Sequence, residues 1–137
     1  MRIFRDQSAP LQPADPASFV GPAFTKLFAS DETGTPVHVY RVEFRDGART
    51  NWHTHSGPQW LFVVEGIVRV QRSGEAAIDV PAGDAICIAP EEKHWHGARP
   101  GGRAVHIAVN VNLKTTWLEP VNDRQYSGDS GGELLGV

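Results

Sequence analysis

The chain has 137 residues and a formal net charge of −3, which gives enough length for one domain with a sizeable core and no basic excess for binding nucleic acid. The first residues contain no apolar run that resembles a signal peptide, and a single cysteine, Cys87, excludes an intramolecular disulfide. We therefore expect a cytoplasmic protein without a nucleic-acid or membrane partner. Cys87 lies in the apolar run AICIA and is expected to be buried.

The order of the predicted elements indicates an all-β domain. Ten prolines and fourteen glycines favour short strands joined by turns. Residues 1–23 contain four prolines and no helical period, so they predict an extended arm, and the glycine-rich residues 127–137 predict a flexible tail. Residues 24–126 are expected to form the domain itself. The predicted strands are 24–29, 37–45, 59–64, 66–72, 76–80, 85–89, 93–97 and 104–112, followed by a closing strand with a short helix at 117–126.

The strand predicted at 37–45 presents one side to the interior. Tyr40, Val42 and Phe44 occupy even positions, and charged residues occupy positions 41, 43 and 45. Because side chains alternate between the two faces of a strand, we expect the even set to point inward and the charged set outward.

A pair of histidines follows, in the segment GARTNWHTHSGPQWLFVVEG at 47–66. His53 and His55 are two residues apart, so on an extended strand they project from one face toward one ion. Gln59 has the same parity after a short turn, and its side-chain carbonyl is an additional oxygen donor. An isolated pair of this kind is commonly an exposed feature of a polar strand. The second cluster, PEEKHWHG at 90–97, adds His94 and favours a metal site.

The strand predicted at 104–112 has one polar and one apolar face. His106 and Asn110 share the polar face, which we expect to look into the pocket if the apolar face packs between sheets or against a partner subunit. His106 is then a candidate proton carrier, with a hydrogen-bonded core histidine as the alternative. His96 shares the parity of His94 at a strand end, so both a pocket-lining role and an exposed position stay open. The residues expected to line the pocket are Tyr40, Val42, Phe44, Thr50, Leu61 and Asn110.

Two motifs in these segments resemble those of the cupins. Residues 47–66 match the first cupin motif from its opening to its closing glycine, except that Gln59 stands where the family most often has glutamate. Residues 83–94, GDAICIAPEEKH, are similar to the second motif, although Glu91 and Glu92 occupy positions where glycine is usual. The resemblance implies a jelly-roll β-barrel (double-stranded β-helix), with one metal ion held by His53, His55, Gln59 and His94.

A closer resemblance involves PEEKHWHGA, the ART before WHTH, the HXAXN segment and the NDRQY near the end. These are similar to small single-domain bacterial cupins that include manganese-dependent hydroxynitrile lyases. The likeness implies manganese, with iron, nickel or zinc as alternatives, a small-molecule substrate, and a homodimer to which the arm 1–23 contributes. Tyr40 and Asn110 narrow or alter the pocket that such an enzyme needs.

The neutral glutamine bears on the chemistry. Three histidines and a glutamine leave a divalent ion with its full charge, which favours Lewis-acid chemistry on a hydroxyl or carbonyl over oxygenase chemistry. We therefore expect a non-redox lyase in which His106 or His96 moves a proton. The alternatives are a cupin dioxygenase and a non-catalytic cupin that binds a metal or ligand.

Overall fold

Strands dominate residues 1–128, the part of the chain that the computed structural model describes. All strand pairs in this range are antiparallel, and the strands curl around a common interior. The predicted all-β class and jelly-roll barrel are confirmed. The elements are β1 (Gln12–Pro13), β2 (Phe19–Val20), β3 (Ala23–Asp31), β4 (Val37–Phe44), β5 (Arg49–Thr50), β6 (His53–His55), β7 (Gln59–Arg72), β8 (Ile78–Pro81), β9 (Ala85–Ile88), β10 (His94–Ala98), β11 (Ala104–Val111), β12 (Thr115–Trp117) and α1 (Asp123–Tyr126).

Strand β7 joins the two halves of the barrel. Its first half pairs with β11 and β9, and its second half pairs with β10 and β8. From β11 the first sheet continues through β4 and β3 to β1, and from β10 the second continues through β5 to β2. The two strands predicted at 59–64 and 66–72 are therefore one strand, which changes sheets at Gly66.

Gly66 makes this change of sheet sterically feasible. Its φ of +69° lies in the left-handed region, which favours glycine because other residues place Cβ against the backbone there. A Cβ at this position would lie 2.1 Å from the carbonyl oxygen of Arg103. The close approach of β7 to the start of β11 thus requires a residue without a side chain.

The ends of the described chain pack on the barrel. In the arm predicted at 1–23, β1 pairs with β3 and β2 pairs with β5. At the other end, α1 carries Tyr126, whose hydroxyl donates to the carbonyl oxygen of Ala98 at 2.6 Å. The boundaries 1–23 and 24–126 stay predictions, and the tail predicted at 127–137 lies outside the described residues from position 129 onward.

Apart from Val105, which is fully buried, the apolar side of β11 lies on the outside of the barrel and not between the sheets. Ile107 and Val109 are half-buried there and stand in register with Phe62 and Trp60 of β7, each of which is 44% exposed. Cys87 of β9 pairs with Trp60 and is exposed, so the prediction that it is buried was wrong. The reason is strand alternation: Cys87 lies on the outer face with its partner Trp60, whereas Ile88 on the inner face is buried.

No helix in residues 1–128 has the length and apolar character needed to cross a membrane.

Candidate metal centre and substrate cavity

Three short strands bring the histidines together. Strand β6 lies between β10 and β12, and His53 stands in register with His94 on one side and with Trp117 on the other. His53, His55 and His94 are at most 2% exposed. The period-two spacing of His53 and His55 therefore points both rings into the barrel, as the sequence predicted.

The imidazoles lie close enough to share an ion. The ring centroids of His53 and His94 are 4.2 Å apart, and those of His53 and His55 are 4.9 Å apart. The ring of His55 is 5.0 Å from that of His94. The donor nitrogens of His53, His94 and His96 lie within 4.8 Å of one another, so a second possible group contains His96 where the sequence pattern predicted His55. The ring of His96 is nevertheless farther from those of His53 and His94, at 5.3 and 5.6 Å, than the ring of His55 is.

Backbone carbonyls orient two of the rings. His53 Nδ1 is 2.8 Å from the carbonyl oxygen of Asn51, and His94 Nδ1 is 2.8 Å from that of Glu92. A carbonyl only accepts, so each Nδ1 carries the proton and each Nε2 keeps its lone pair. Such carbonyl partners are typical of metal-binding histidines. His94 Nε2 is buried and has no hydrogen-bond partner among residues 1–128.

Gln59 presents its carbonyl oxygen in the same way. Its Nε2 donates to Oδ1 of Asn110 at 2.7 Å, which fixes the orientation of the amide. Its Oε1 is buried without a partner in the described chain. Because a buried acceptor without a partner costs about 1–3 kcal/mol, a ligand is expected at this oxygen.

Burial lowers the pKa of every histidine in the cluster. Desolvation brings the pKa of His55 and His94 to about 4 and that of His106 to about 3. The pKa values of His53 and His96 are also well below the ordinary range, first because of desolvation and then because of the neighbouring histidines. The rings are therefore neutral at neutral pH, the form in which imidazole binds a metal.

His96 also pairs with His106. His106 Nε2 lies 3.1 Å from His96 Nδ1, and the two rings are at most 4% exposed. Phe44 packs against both, with ring centroids 6.0 Å and 5.5 Å away. A β-bulge precedes His106 in its pairing with β7, and bulges of this kind redirect side chains. Each histidine also has one ring nitrogen without a partner within residues 1–128, at His96 Nε2 and His106 Nδ1.

A cavity of about 340 Å³ opens above the histidines. Of the residues predicted to line a pocket, Tyr40, Val42, Thr50 and Asn110 do so. Phe44 and Leu61 are fully buried and lie outside its lining. His53, His55, Gln59, His96 and His106 also line this cavity, whereas His94 borders a second cavity of about 270 Å³.

Several lining residues were absent from the sequence-based prediction. Trp117 packs against His53 in a tilted arrangement with ring centroids 4.5 Å apart, and the ring of Phe19 lies 5.8 Å from that of Trp117. Strand alternation could have predicted Trp117, since Thr115 and Trp117 are two residues apart and therefore lie on the same face of β12. No local signal marks the arm residues, because their position depends on long-range pairing with β5. The residues missed are Asp15, Ser18, Phe19, Thr25, Ala108, Thr115 and Trp117.

These donors fit a divalent transition-metal ion. The site offers neutral imidazole nitrogens and one amide oxygen, and three of the candidate ligands have a buried atom without a partner within the described range, namely His55 Nδ1, Gln59 Oε1 and His94 Nε2. Imidazole suits zinc, copper, iron and nickel, and amide oxygen suits harder ions such as manganese. The donor set therefore indicates a divalent metal without selecting one.

Comparison with known proteins places this geometry in a family. The family model for the Cupin domain matches residues 40–110, which carry the histidine pair, Gln59 and the second histidine cluster. The chain belongs to the cupin family. The motif resemblance found in the sequence is thereby confirmed.

Individual relatives agree with this assignment. This cupin is 43% identical to the (R)-mandelonitrile lyase of Granulicella tundricola over 88 residues, which cover 62% of this chain and 67% of the relative. A cupin-like protein from Thermotoga maritima superposes with a TM-score of 0.79 at 36% identity, over 83% of this chain and 89% of that one. The polyketide cyclase RemF from Streptomyces resistomycificus has a TM-score of 0.70 at 15% identity, over 96% and 93% of the two chains, and shows the fold alone.

Proposed function

We propose that this cupin is a metal-dependent, non-redox lyase that splits a small hydroxynitrile into a carbonyl compound and hydrogen cyanide, or forms it from them. The observation that carries the proposal is the wholly neutral donor set beside the cavity, with His55 Nδ1, Gln59 Oε1 and His94 Nε2 left without partners among residues 1–128. The 43% identity to a mandelonitrile lyase supports the same reaction.

We propose His53, His55, Gln59 and His94 as the ligands. When bound, a divalent ion would supply a Lewis acid for the substrate oxygen, and manganese is the ion that the resemblance favours. His96 is the competing ligand, because one of its ring nitrogens lies within 4.8 Å of donor nitrogens of His53 and His94. We assign it instead to proton transfer, since its Nδ1 already faces His106.

His106 and His96 would move the proton. Cleavage of a cyanohydrin breaks the O–H bond and the bond from carbon to the nitrile. The proton passes to a neutral imidazole of the pair, the O–H electrons form the carbonyl, and the carbon–carbon pair leaves with cyanide. The same imidazole then returns the proton to cyanide. Burial lowers the pKa of both rings, so each is neutral and has a lone pair for the proton, and the protonated ring readily returns it to cyanide.

Aromatic walls favour an aryl substrate. Trp117 and Phe19 form one side of the cavity, while Tyr40 and Val42 lie on β4 and line it from another strand. Aromatic side chains pack well against an aryl ring through offset or edge contacts. An aromatic aldehyde and its cyanohydrin are therefore the substrates to test first.

The test combines turnover with metal content. We expect manganese-loaded protein to release benzaldehyde from mandelonitrile without consuming oxygen. His53→Ala, His55→Ala and His94→Ala should lose most of the metal, whereas His96→Ala should keep it and turn over slowly. Unchanged metal content in His53→Ala and His94→Ala would refute the site. Oxygen uptake by iron-loaded protein would identify a dioxygenase instead, and a bound metal without turnover or exchangeable water would identify a binding module.

We also propose a homodimer that buries the outer apolar face made by Trp60, Phe62, Ile107 and Val109. A monomer rarely exposes so many neighbouring large apolar side chains. Light scattering should give twice the chain mass for the parent and the chain mass for Trp60→Glu. A parent that stays monomeric at micromolar concentration contradicts this arrangement.

A further inference from the structure

The cavity carries one carboxylate, and nothing in the proposed reaction uses it. Asp15 lies in the arm and is exposed at the mouth, whereas the histidines at the base are buried. Within residues 1–128 it is the one lining side chain with a formal charge at neutral pH, since the others are apolar, hydroxyl, amide or neutral imidazole groups. The substrate end nearest the mouth therefore meets a negative charge.

The turn that carries Asp15 is fixed to the barrel. Oδ1 of Asp15 accepts from the backbone nitrogen of Ala17 at 2.9 Å, and its carbonyl oxygen accepts from that of Ser18 at 2.9 Å. Asn51 then holds the turn, because its backbone nitrogen donates to the carbonyl of Ser18 at 2.8 Å and its Nδ2 to that of Ala17 at 2.9 Å. The carboxylate is thus held at a defined place on the rim.

The same asparagine touches the metal site. The carbonyl oxygen of Asn51 accepts from His53 Nδ1 at 2.8 Å. Asn51 therefore orients the ring of a candidate ligand and also anchors the turn that carries Asp15. The distance between the reacting end of the cavity and the carboxylate is fixed by short connections within the chain.

The geometry points to Asp15 as a specificity-determining residue, which favours aromatic substrates with a cationic or hydrogen-bond-donating group at the end remote from the reacting carbon and rejects those with an anionic group there. This rests on the proposed function for the identity of the reacting end. Phe19 and Trp117 contact each other in the cavity lining, and the substrate's ring would pack against them between the two ends. A carboxylate weakens the binding of a substrate with a negative charge opposite it and strengthens the binding of one with a positive charge there.

Three benzyl alcohols test the inference by calorimetry on manganese-loaded protein. They carry at the para position a hydrogen, an aminomethyl group or a sulfonate, which is a poor metal ligand. We expect the aminomethyl compound to bind at least about fivefold tighter than the sulfonate, a modest ratio because water screens charges at a mouth. Asp15→Asn should reduce the ratio to about twofold or less and leave the unsubstituted compound unchanged.

Asparagine keeps the oxygen that accepts from Ala17, so the turn should survive the substitution. Asp84→Asn is the matched control, because Asp84 is exposed, lies outside the cavity lining and undergoes the same loss of charge. A ratio near one in the parent, or an equal ratio in the parent and Asp15→Asn, overturns the inference. Because these probes report binding alone, a ratio that depends on Asp15 in a protein without lyase activity would reject the proposed reaction and retain this residue's role.

Discussion

Gln59 distinguishes this donor set from the usual cupin set, which has a glutamate at the same position. Its amide leaves the charge of a divalent ion undiminished, and its Nε2 is held by Asn110 at 2.7 Å. A carboxylate at the same place would add a negative charge and would require Asn110 to turn its amide so that Nδ2 donates. The hydrogen-bonded amides of Gln59 and Asn110 therefore affect the electrostatics of the site as well as its shape.

Replacement of Gln59 with glutamate tests this charge argument. We expect Gln59→Glu to retain the metal or bind it more tightly, while lyase turnover falls by about tenfold, or about 1.4 kcal/mol of transition-state stabilisation, because the ion is a weaker Lewis acid. Metal analysis and rates on one preparation make the measurement. Faster turnover at equal metal content would reject the Lewis-acid account and favour oxygenase chemistry.

His106 is the second residue whose role can be isolated. If it moves the proton, His106→Ala should keep its metal and lose about a hundredfold or more in turnover. A histidine with only a packing role would lower stability by about 1–3 kcal/mol and leave turnover per folded molecule intact. Thermal melting, metal content and rate separate the two cases, with His38→Ala, outside the cavity, as the control.

At the scale of elements, the site depends on strands too short to be recognised in the sequence. Strand β6 has three residues, and β12 has three, yet the pairing of β6 with β12 and β10 positions the histidines proposed as metal ligands. The long strand β7 supplies Gln59 at its start and then crosses to the other sheet. A change in the course of β7 should therefore affect both halves of the barrel.

Gly66→Ala tests the crossing. The alanine would have to keep the left-handed backbone conformation of Gly66, and its Cβ would lie 2.1 Å from the carbonyl oxygen of Arg103. Gly74 has a similar φ of +86°, and no atom lies within 4 Å of the place that a Cβ would take there, so Gly74→Ala measures the conformational cost alone. We expect about 1 kcal/mol for Gly74→Ala and at least about 3 kcal/mol for Gly66→Ala in urea unfolding. Equal losses would show that the contact with Arg103 relaxes at no cost.

The whole molecule shows which parts of the fold and site the sequence could predict. The inward direction of His53, His55 and Gln59 follows from strand parity and short spacing. That β7 is a single long strand cannot be predicted in this way, because a glycine at position 66 is equally compatible with a turn. The contributions of Asp15 and Phe19 depend on contacts with residues more than thirty positions away, for which no local periodicity exists.

The stability of the metal-free molecule should depend on pH through the buried histidines. In the unfolded chain a histidine has a pKa of about 6.5, whereas in the folded protein burial lowers the pKa of His94 to about 4. The unfolded state therefore binds protons first as the pH falls, and stability decreases between about pH 6.5 and pH 4. His94 alone would account for a loss of about 3 kcal/mol by pH 4, against a typical total of about 5–15 kcal/mol.

Urea unfolding of the chelator-treated protein at pH 7.5, 6 and 5 measures this dependence. We expect the midpoint to fall steadily across the series and to fall less in His94→Gln, which lacks one of the titrating rings. His38→Gln, on the outer part of β4, should follow the parent. Added manganese should move the loss of stability to lower pH, because an ion bound only by the folded state holds the histidines neutral. Equal midpoints at pH 7.5 and 5 without metal would mean that the histidine cluster opens to water and titrates as it does in the unfolded chain.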